Sequence, residues 1–168
     1  KKKKKLATLS RGYGRTTSGY RDVTSGSKAV EVGDEPLQFA MKFPEVHVAV
    51  CERRVAGIDK LRLKKPEPEV VILDDVFQHR KVKPGFLIML TAFNDFFYED
   101  LVLPAGNLRE SRSGAERAHA IIVTKCPADL SLEAQKRIAE KISAYAEAKV
   151  FFSTIAYGEL YDDTQKIP

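Results

Sequence analysis

The chain has 168 residues, of which 43% are hydrophobic and 30% charged, and its formal net charge is +5, as in an ordinary globular protein. No apolar run approaches the length that spans a bilayer. The two cysteines, Cys51 and Cys126, stand far apart and are predicted to be reduced and buried, which disfavours a disulfide or a zinc site.

The basic start of the chain, residues 1–5, consists of lysines alone. Such a run attracts nucleic acid or anionic lipid headgroups. It is also typical of a solvated helix end, and the sequence favours that simpler interpretation. Charge alone therefore assigns no partner.

Six short segments rich in Val, Ile, Leu and Phe are predicted to be β-strands. Their apolar residues are continuous rather than alternating, which is typical of parallel strands covered by helices on both faces. The segments are residues 6–10, 46–50, 70–74, 86–92, 120–124 and 150–154.

Two helices are predicted from apolar residues at helical spacing, over residues 35–43 and 132–146. Ser131 is the expected N-cap of the second. The apolar face of that helix consists of Ile138, Ile142 and Tyr145. The alternation of strands and helices predicts an open, mostly parallel α/β sheet with helices on both faces, in a single domain over residues 1–168.

Ligands of such sheets bind beyond the carboxyl ends of the strands. In "VVILDDVFQHR", Asp74 and Asp75 stand where the third predicted strand ends. Adjacent strand residues point to opposite faces, so different roles are expected for the two carboxylates. Two charges about 6 Å apart repel by roughly 3 kcal/mol at an effective dielectric constant of about 20. A bound cation removes this repulsion, which favours a magnesium site over a simple cap of the next helix.

A second acidic pair lies in "VGDEP", where Asp34 and Glu35 follow Gly33 and Pro36 can occupy the first turn of a helix. Asp34 is a suitable helix N-cap. A carboxylate within reach of a substrate hydroxyl can also act as a general base. The sequence leaves both interpretations open.

Two loops carry arginines. In "LSRGYGR" the glycines allow a sharp turn around Tyr13, and the guanidinium groups of Arg11 and Arg15 are forked donors suited to phosphate. "LPAGNLRES" places Arg109 in a second loop. Either loop is also an ordinary connection unless other residues point to it.

The histidines differ in their surroundings. His47 lies within a predicted strand and His119 beside one, which favours structural roles. His79 follows the Asp pair in a turn together with Gln78, and it is the histidine predicted to serve a site. No GxxxxGK[ST] phosphate loop occurs in the sequence.

Five motifs in this order, "LSRGYGR", "VGDEP", "ILDDVFQHR", "LPAGNLRE" and "RAHAIIVTK", resemble those of the tetraacyldisaccharide 4'-kinases, lipid kinases of Gram-negative bacteria. The resemblance implies a P-loop NTPase-like core. It also implies transfer of the γ-phosphate of ATP, with Mg²⁺, to the 4'-hydroxyl of tetraacyldisaccharide 1-phosphate in lipid A (lipopolysaccharide) biosynthesis. The expected location is the cytoplasmic face of the bacterial inner membrane.

The same resemblance implies roles for individual residues. Asp34 corresponds to the catalytic base. The magnesium-organising carboxylates are Glu35, Asp74 and Asp75. The residues implied to bind the lipid substrate are Tyr13, Gln78, His79 and Arg109. The residue implied to bind the nucleotide is Arg11.

The chain departs from the family pattern in several places. Val76 replaces the glycine usual after the Asp pair, and Ser111 stands where proline is common. A Walker A element, an N-terminal membrane helix and a C-terminal domain with a further catalytic histidine are absent from these residues. The chain is therefore expected to be the core of the nucleotide-binding domain of a larger kinase, and to be inactive alone. Its oligomeric state is not predicted.

The sequence disfavours two other classes of protein. A phosphorelay receiver would need its Asp pair after the first strand and an acceptor Asp after the third, whereas the pair here follows the third. A basic nucleic-acid-binding domain would need exposed stacking aromatics, for which Phe96, Phe97 and Tyr98 are the candidates. No nucleic-acid partner is predicted.

Overall fold

A computed structural model of the chain describes residues 4–158. The first three lysines of the basic run lie outside the described residues. The chain divides into two compact units, residues 1–83 and 84–168. The strands form one sheet in each unit rather than the single open sheet expected. The prediction of one domain over residues 1–168 stays a prediction.

The sheet of the first unit has the strand order β2-β3-β1-β4. Its strands are β1 (Leu6–Ser10), β2 (Arg21–Val23), β3 (His47–Val50) and β4 (Val70–Leu73). β1 is parallel to both β3 and β4, whereas β2 is antiparallel to β3. The carboxyl ends of β1, β3 and β4 therefore meet at one edge of the sheet.

Helices cover both faces of β3 in the first unit. They are α1 (Ala29–Val32), α2 (Asp34–Lys42) and α3 (Arg54–Arg62). Leu61 of α3 packs with Leu9 and Ala49 on one face. Ala40 of α2 packs with Val48 on the other. The predicted helix 35–43 is confirmed within one residue at each end.

Burial on both faces is wrong for β4. Val71 and Leu73 pack on the core that contains α3, whereas Ile72 is 53% exposed. The cause is the strand order. The core formed by α1 and α2 contains residues of β2 and β3, and β4 lies on the far side of β1 from it.

The second unit has a parallel sheet in the order β5-β6-β7. Its elements are β5 (Ile88–Ala92), a 3₁₀ helix (Arg112–Arg117), β6 (Ala120–Thr124), α4 (Leu132–Ser143) and β7 (Lys149–Phe152). Side chains of β5 and β7 alternate in exposure, with Leu90 64% and Phe151 51% exposed. Burial on both faces is therefore wrong for these strands as well.

The helix α4 begins as predicted. The Oγ of Ser131 accepts the backbone N–H of Ala134 at 3.2 Å, which makes it the N-cap. The helix ends at Ser143, three residues before the predicted end at 146, and its Ile142 is fully buried. The parallel sheets and amphipathic helices confirm the α/β fold class.

Three aromatic side chains of the second unit belong to its core. Phe96, Phe97 and Tyr98 are buried. Phe96 stacks on Tyr98 with ring centroids 5.0 Å apart, and Tyr145 of the segment after α4 contacts both Phe97 and Tyr98. These rings do not form the exposed stacking surface that single-stranded nucleic acid requires.

The structure also describes the state of the two cysteines and the character of the helices. Cys51 and Cys126 are free and buried, as predicted. Among residues 4–158, no helix has the length and apolar character needed to cross a membrane.

Candidate active site

Acidic residues from two elements come together at the edge where the parallel strands of the first unit end. Asp34 and Glu35 open α2, and Asp74 follows β4. Partial burial raises the pKa of Glu35, and the nearby carboxylates of Asp74 and Asp34 raise it further. Two aspartates from separate motifs therefore lie close enough to Glu35 to raise its pKa, as expected of a site that attracts a cation.

Asp74 and Asp75 differ in backbone environment, because the chain leaves the sheet between them. Asp74 still donates its backbone N–H to the carbonyl of Leu9 at 3.1 Å, which extends the parallel ladder. Asp75 has a φ of 43°, a left-handed conformation that costs a non-glycine residue energy. This turn redirects the chain between two adjacent carboxylates, which supports different roles for them.

The first residue of α2 is Asp34, and its N-cap is Gly33. The N-cap interpretation of Asp34 is therefore wrong. Its Oδ1 accepts the N–H of Glu35 at 3.0 Å, and its side chain is exposed at the edge of the site. Pro36 lies in the first turn, as predicted.

Two glycines bring the loop after β1 against the start of α2. Gly33 has φ 92° and ψ 150°, a region that is essentially open to glycine alone. A Cβ on Gly33 would lie 3.1 Å from the carbonyl oxygen of Tyr13, and one on Gly12 would lie 2.7 Å from that of Val32. This contact fixes where Asp34 begins the helix, and it leaves the ring of Tyr13 90% exposed.

We expect Gly33→Ala to lower the free energy of unfolding by about 2 kcal/mol, because the new methyl group meets both a disfavoured backbone conformation and a carbonyl. Gly14→Ala is the matched control, since Gly14 has φ 76° but nothing within 4 Å of an added Cβ. Urea denaturation should show the larger loss at Gly33. Equal losses would contradict the importance of the contact.

A buried arginine joins the strand ends beneath the carboxylates. Arg54, the first residue of α3, is 3% exposed. Its Nη1 donates to the carbonyl of Cys51 at 2.7 Å and its Nη2 to the carbonyl of Asp74 at 3.1 Å. These carbonyls follow β3 and β4, the strands on either side of β1. Burial lowers the pKa of Arg54, and the negative charges of Asp74 and Asp75 oppose that effect.

Arg54 is the residue that the sequence analysis missed. The signal in the sequence is "CERRV", which comes directly after the second predicted strand, where ligands of parallel sheets bind. The charge of Arg11 also acts on Arg54, which places Arg11 at the same edge. Arg54 therefore lies within reach of both the negative charges of Asp74 and Asp75 and the positive charge of Arg11.

A cleft of about 600 Å³ lies beside Arg54. One wall is the start of α3, and the other is the turn that contains Gln78 and His79. The turn is closed by backbone hydrogen bonds of His79 to Val76 at 2.8 Å and of Val82 to His79 at 3.0 Å. Both predicted substrate residues of this segment thus line one cavity together with Arg54.

Arg15 has a structural role instead of the phosphate role suggested by its motif. Its guanidinium is bonded to Glu52 and donates to the carbonyl of Gly19 at 2.8 Å. Burial opposes ionisation of Glu52, but hydrogen bonds from its own backbone, Arg15 and Gly19 lower its pKa. The pair closes the loop between β1 and β2, so Arg15 is not available to a ligand.

Arg109 belongs to the second unit, where it is exposed just after the loop 101–108. Of the other histidines, His119 accepts the N–H of Leu87 at 3.0 Å and stacks on Phe86. His47 lies half-buried in β3. These environments agree with the structural roles predicted for both histidines.

The donor set suits magnesium bound together with a phosphate ligand. Among residues 4–158, no three His, Cys, Asp or Glu side chains form a ready-made metal cage. Mg²⁺ commonly uses one or two carboxylates, with water and substrate phosphate as its remaining ligands. Glu35 and Asp74 are close enough to shift a pKa, and they offer this kind of partial site.

A family model described as "Tetraacyldisaccharide-1-P 4'-kinase" matches residues 1–163. The chain belongs to the tetraacyldisaccharide 4'-kinase family. The family predicted from five short motifs is therefore confirmed.

Named relatives of this kinase family agree. The tetraacyldisaccharide 4'-kinase of Flavobacterium psychrophilum is 53% identical over 159 residues, which cover 94% of this chain and 46% of the relative. That of Bacteroides thetaiotaomicron is 47% identical over 156 residues, covering 92% and 41%. The chain spans about half the length of the curated relatives it matches.

A solved structure of the tetraacyldisaccharide 4'-kinase family is also similar. The crystal structure of LpxK from Aquifex aeolicus, in complex with ATP, covers 98% of this chain and 65% of its own chain. The TM-score is 0.64 and the sequence identity 28%. This likeness supports the P-loop kinase fold for the chain.

Proposed function

We propose that the protein to which these residues belong transfers the γ-phosphate of ATP, with Mg²⁺, to the 4'-hydroxyl of tetraacyldisaccharide 1-phosphate in lipid A biosynthesis. The observation that carries the proposal is the meeting of Asp34, Glu35 and Asp74 at the carboxyl edge of a parallel sheet. Phosphoryl transfer depends mainly on positioning and charge neutralisation. A rigid edge that presents carboxylates and arginines provides both.

The residues of the first unit have separate proposed roles. Asp34 is the general base that takes the proton of the acceptor hydroxyl, because its carboxylate is exposed at the start of α2. Glu35, Asp74 and Asp75 hold Mg²⁺. Bound magnesium would neutralise charge on the nucleotide phosphates. Arg11, on the loop after β1, is proposed to contact the nucleotide.

The lipid acceptor is assigned to side chains outside the carboxylate cluster. Gln78 and His79 line the cleft beside Arg54, which offers polar donors to a disaccharide. Tyr13 presents an exposed ring. Arg109 offers a guanidinium suited to phosphate. We place the protein at the cytoplasmic face of the bacterial inner membrane, where an acylated acceptor would be embedded.

We expect Mg²⁺ to lower the pKa of Glu35. The pKa of the Glu35 carboxyl is raised in the folded protein. The neutral carboxyl therefore stabilises the fold at low pH, and this contribution is lost as the pH rises through that pKa. A cation reverses this by favouring the ionised form. Carboxyl ¹³C NMR titrations with and without Mg²⁺ measure the effect. Asp22, which is bonded to Lys64 and Tyr20 away from the site, is the control. An unchanged Glu35 titration would contradict the metal role.

The activity is tested with the full-length protein, ATP and tetraacyldisaccharide 1-phosphate. The expected product carries one new phosphate at the 4'-position, located by ³¹P NMR and mass spectrometry. An acceptor lacking the 4'-hydroxyl is the control and should remain unmodified. Phosphorylation of that control acceptor, or no transfer by a folded enzyme, would reject the proposed reaction.

A further inference from the structure

The hydroxyl of Ser10 is buried at the end of β1. In the part of the chain that the structure describes, the buried side-chain atoms without a hydrogen-bond partner are the Oγ of Ser10, the Nε of Arg15, the Nε of Arg54 and the hydroxyl of Tyr98. Both arginines are held through their other guanidinium nitrogens, and Tyr98 belongs to the second unit. Ser10, which is 7% exposed, stands at the carboxyl edge of the first. A buried hydroxyl of this kind costs free energy, so its presence at a strand end points to a function.

The side chain of Ser10 lies on the face of the sheet that α2 covers. Leu9, the preceding residue of β1, packs with Leu61 of α3 on one face. Adjacent strand residues point to opposite faces, so Ser10 points away from α3. Its register partner in β3 is Val50, which packs on the other face with Ala40 of α2.

The side chain of Asp74 leaves β4 on that same face. Leu73 pairs with Leu9 in register and packs on the core that contains α3. The N–H of Asp74 donates to the carbonyl of Leu9 at 3.1 Å, so the alternation of the strand continues to Asp74, whose side chain points away from α3. Neighbouring strands are about 4.8 Å apart. A serine hydroxyl can reach a carboxylate on the adjacent strand across this spacing.

The start of α2 lies at the same corner of the sheet. A Cβ on Gly12, two residues after Ser10, would lie 2.7 Å from the carbonyl oxygen of Val32, so the loop after β1 contacts the end of α1 just before α2. Glu35 opens α2, and the carboxylate of Asp74 is close enough to raise its pKa. The hydroxyl of Ser10 therefore lies beside the carboxylates assigned to Mg²⁺.

We propose that Ser10 is a positioning residue of the magnesium site, whose hydroxyl donates a hydrogen bond to the carboxylate of Asp74 and fixes that carboxylate as a metal ligand. Carboxylates that bind metals are themselves held by hydrogen bonds. A serine hydroxyl turns between staggered positions, so it can follow the carboxylate that the metal orients. The proposal rests on the proposed function in one respect, that Mg²⁺ binds at Glu35 and Asp74.

Ser10→Ala removes the hydroxyl, and Thr8→Val is the matched control. Thr8 lies two residues earlier on the same face of β1, further from the strand end, so Thr8→Val removes a hydroxyl away from the carboxylates. The affinity of the full-length protein for a non-hydrolysable ATP analogue is measured by isothermal titration calorimetry at a series of free Mg²⁺ concentrations. Urea denaturation in EDTA measures the stability of each variant.

We expect Ser10→Ala to need about 10–100-fold more Mg²⁺ for half of the maximal affinity, the usual effect of removing a group that holds a metal ligand. Its urea midpoint should be equal to or higher than that of the unsubstituted protein, because the variant loses a buried group without a partner. A merely structural hydroxyl would give the reverse, a lower midpoint and the same Mg²⁺ dependence. Thr8→Val should keep the Mg²⁺ dependence of the unsubstituted protein.

The role of Ser10 is overturned by an unchanged Mg²⁺ dependence in Ser10→Ala, by equal changes in both variants, or by a lower urea midpoint of Ser10→Ala. The measurement uses no acceptor lipid. A weaker Mg²⁺ response of Ser10→Ala without lipid phosphorylation by the unsubstituted enzyme would therefore reject the proposed reaction and leave the role of Ser10 standing. Lipid phosphorylation together with the same Mg²⁺ response in Ser10→Ala would reject the role of Ser10 alone.

Discussion

Asp34→Asn is expected to lower kcat of the full-length enzyme by about 10²–10⁴-fold, the usual contribution of a general base. The substitution isolates the base, because an asparagine oxygen can still accept the N–H of Glu35 as Asp34 does. The fold and the KM for ATP should therefore change little. Steady-state kinetics and far-ultraviolet circular dichroism measure both.

The control for Asp34 is Glu67→Gln, which removes an exposed carboxylate paired with Arg62 in the same unit. It should leave kcat within twofold of the unsubstituted enzyme, about the scale of a surface change. Retention of near-normal kcat by Asp34→Asn would show that another group accepts the proton.

Arg54→Met is expected to lower the free energy of unfolding by about 3–5 kcal/mol. The variant removes two charge-assisted hydrogen bonds and leaves the carbonyls of Cys51 and Asp74 without that donor. It also removes the positive charge beside Asp74 and Asp75, so kcat should fall even in the folded fraction. Urea denaturation and kinetics at low temperature separate the two effects.

The neighbour of Arg54 provides its control. Arg53→Met alters an exposed arginine and should change the unfolding free energy by less than about 0.5 kcal/mol. Arg54→Lys should recover part of the stability, because a single ammonium group cannot reach both carbonyls as a guanidinium does. Equal stability of Arg53→Met and Arg54→Met would contradict a bridging role for Arg54.

The strands were predictable where their apolar residues are continuous. β1 and β6 occupy the residues predicted for them, and β3, β4, β5 and β7 differ by one or two residues at their ends. β2, with three residues, is too short for a recognisable pattern. The helix α3 contains Gly57, whose added Cβ would lie 2.7 Å from Leu9, so close packing overrides helix propensity there.

Side-chain exposure could not be predicted from the apolar pattern. Continuous apolar residues suggest burial on both faces, yet Ile72 and Leu90 are exposed. A strand is covered twice only if helices lie over both of its faces, which depends on strand order. That order is a long-range property, and local hydrophobicity does not encode it.

The sequence predicts the carboxylates of the candidate site, but it does not predict the hydrogen bonds that its arginines make. Asp74 was found because ligands of parallel sheets bind beyond the carboxyl ends of the strands. Asp34 and Glu35 were found because they form a second carboxylate pair before a predicted helix. The role of Arg15 was wrong because its partner Glu52 lies 37 positions away. Arg54 was missed because its partners are backbone carbonyls, which no side-chain motif identifies.

The most direct test of the carboxylate site is the Mg²⁺ dependence of phosphoryl transfer to tetraacyldisaccharide 1-phosphate by the full-length protein and by Asp75→Asn. We predict that the unsubstituted enzyme transfers phosphate and that the variant needs at least about tenfold more Mg²⁺ for half-maximal rate, since removing a group that orders a metal site weakens it by about 10–100-fold. The same Mg²⁺ dependence in both proteins, or no transfer by the folded unsubstituted enzyme, would contradict the account.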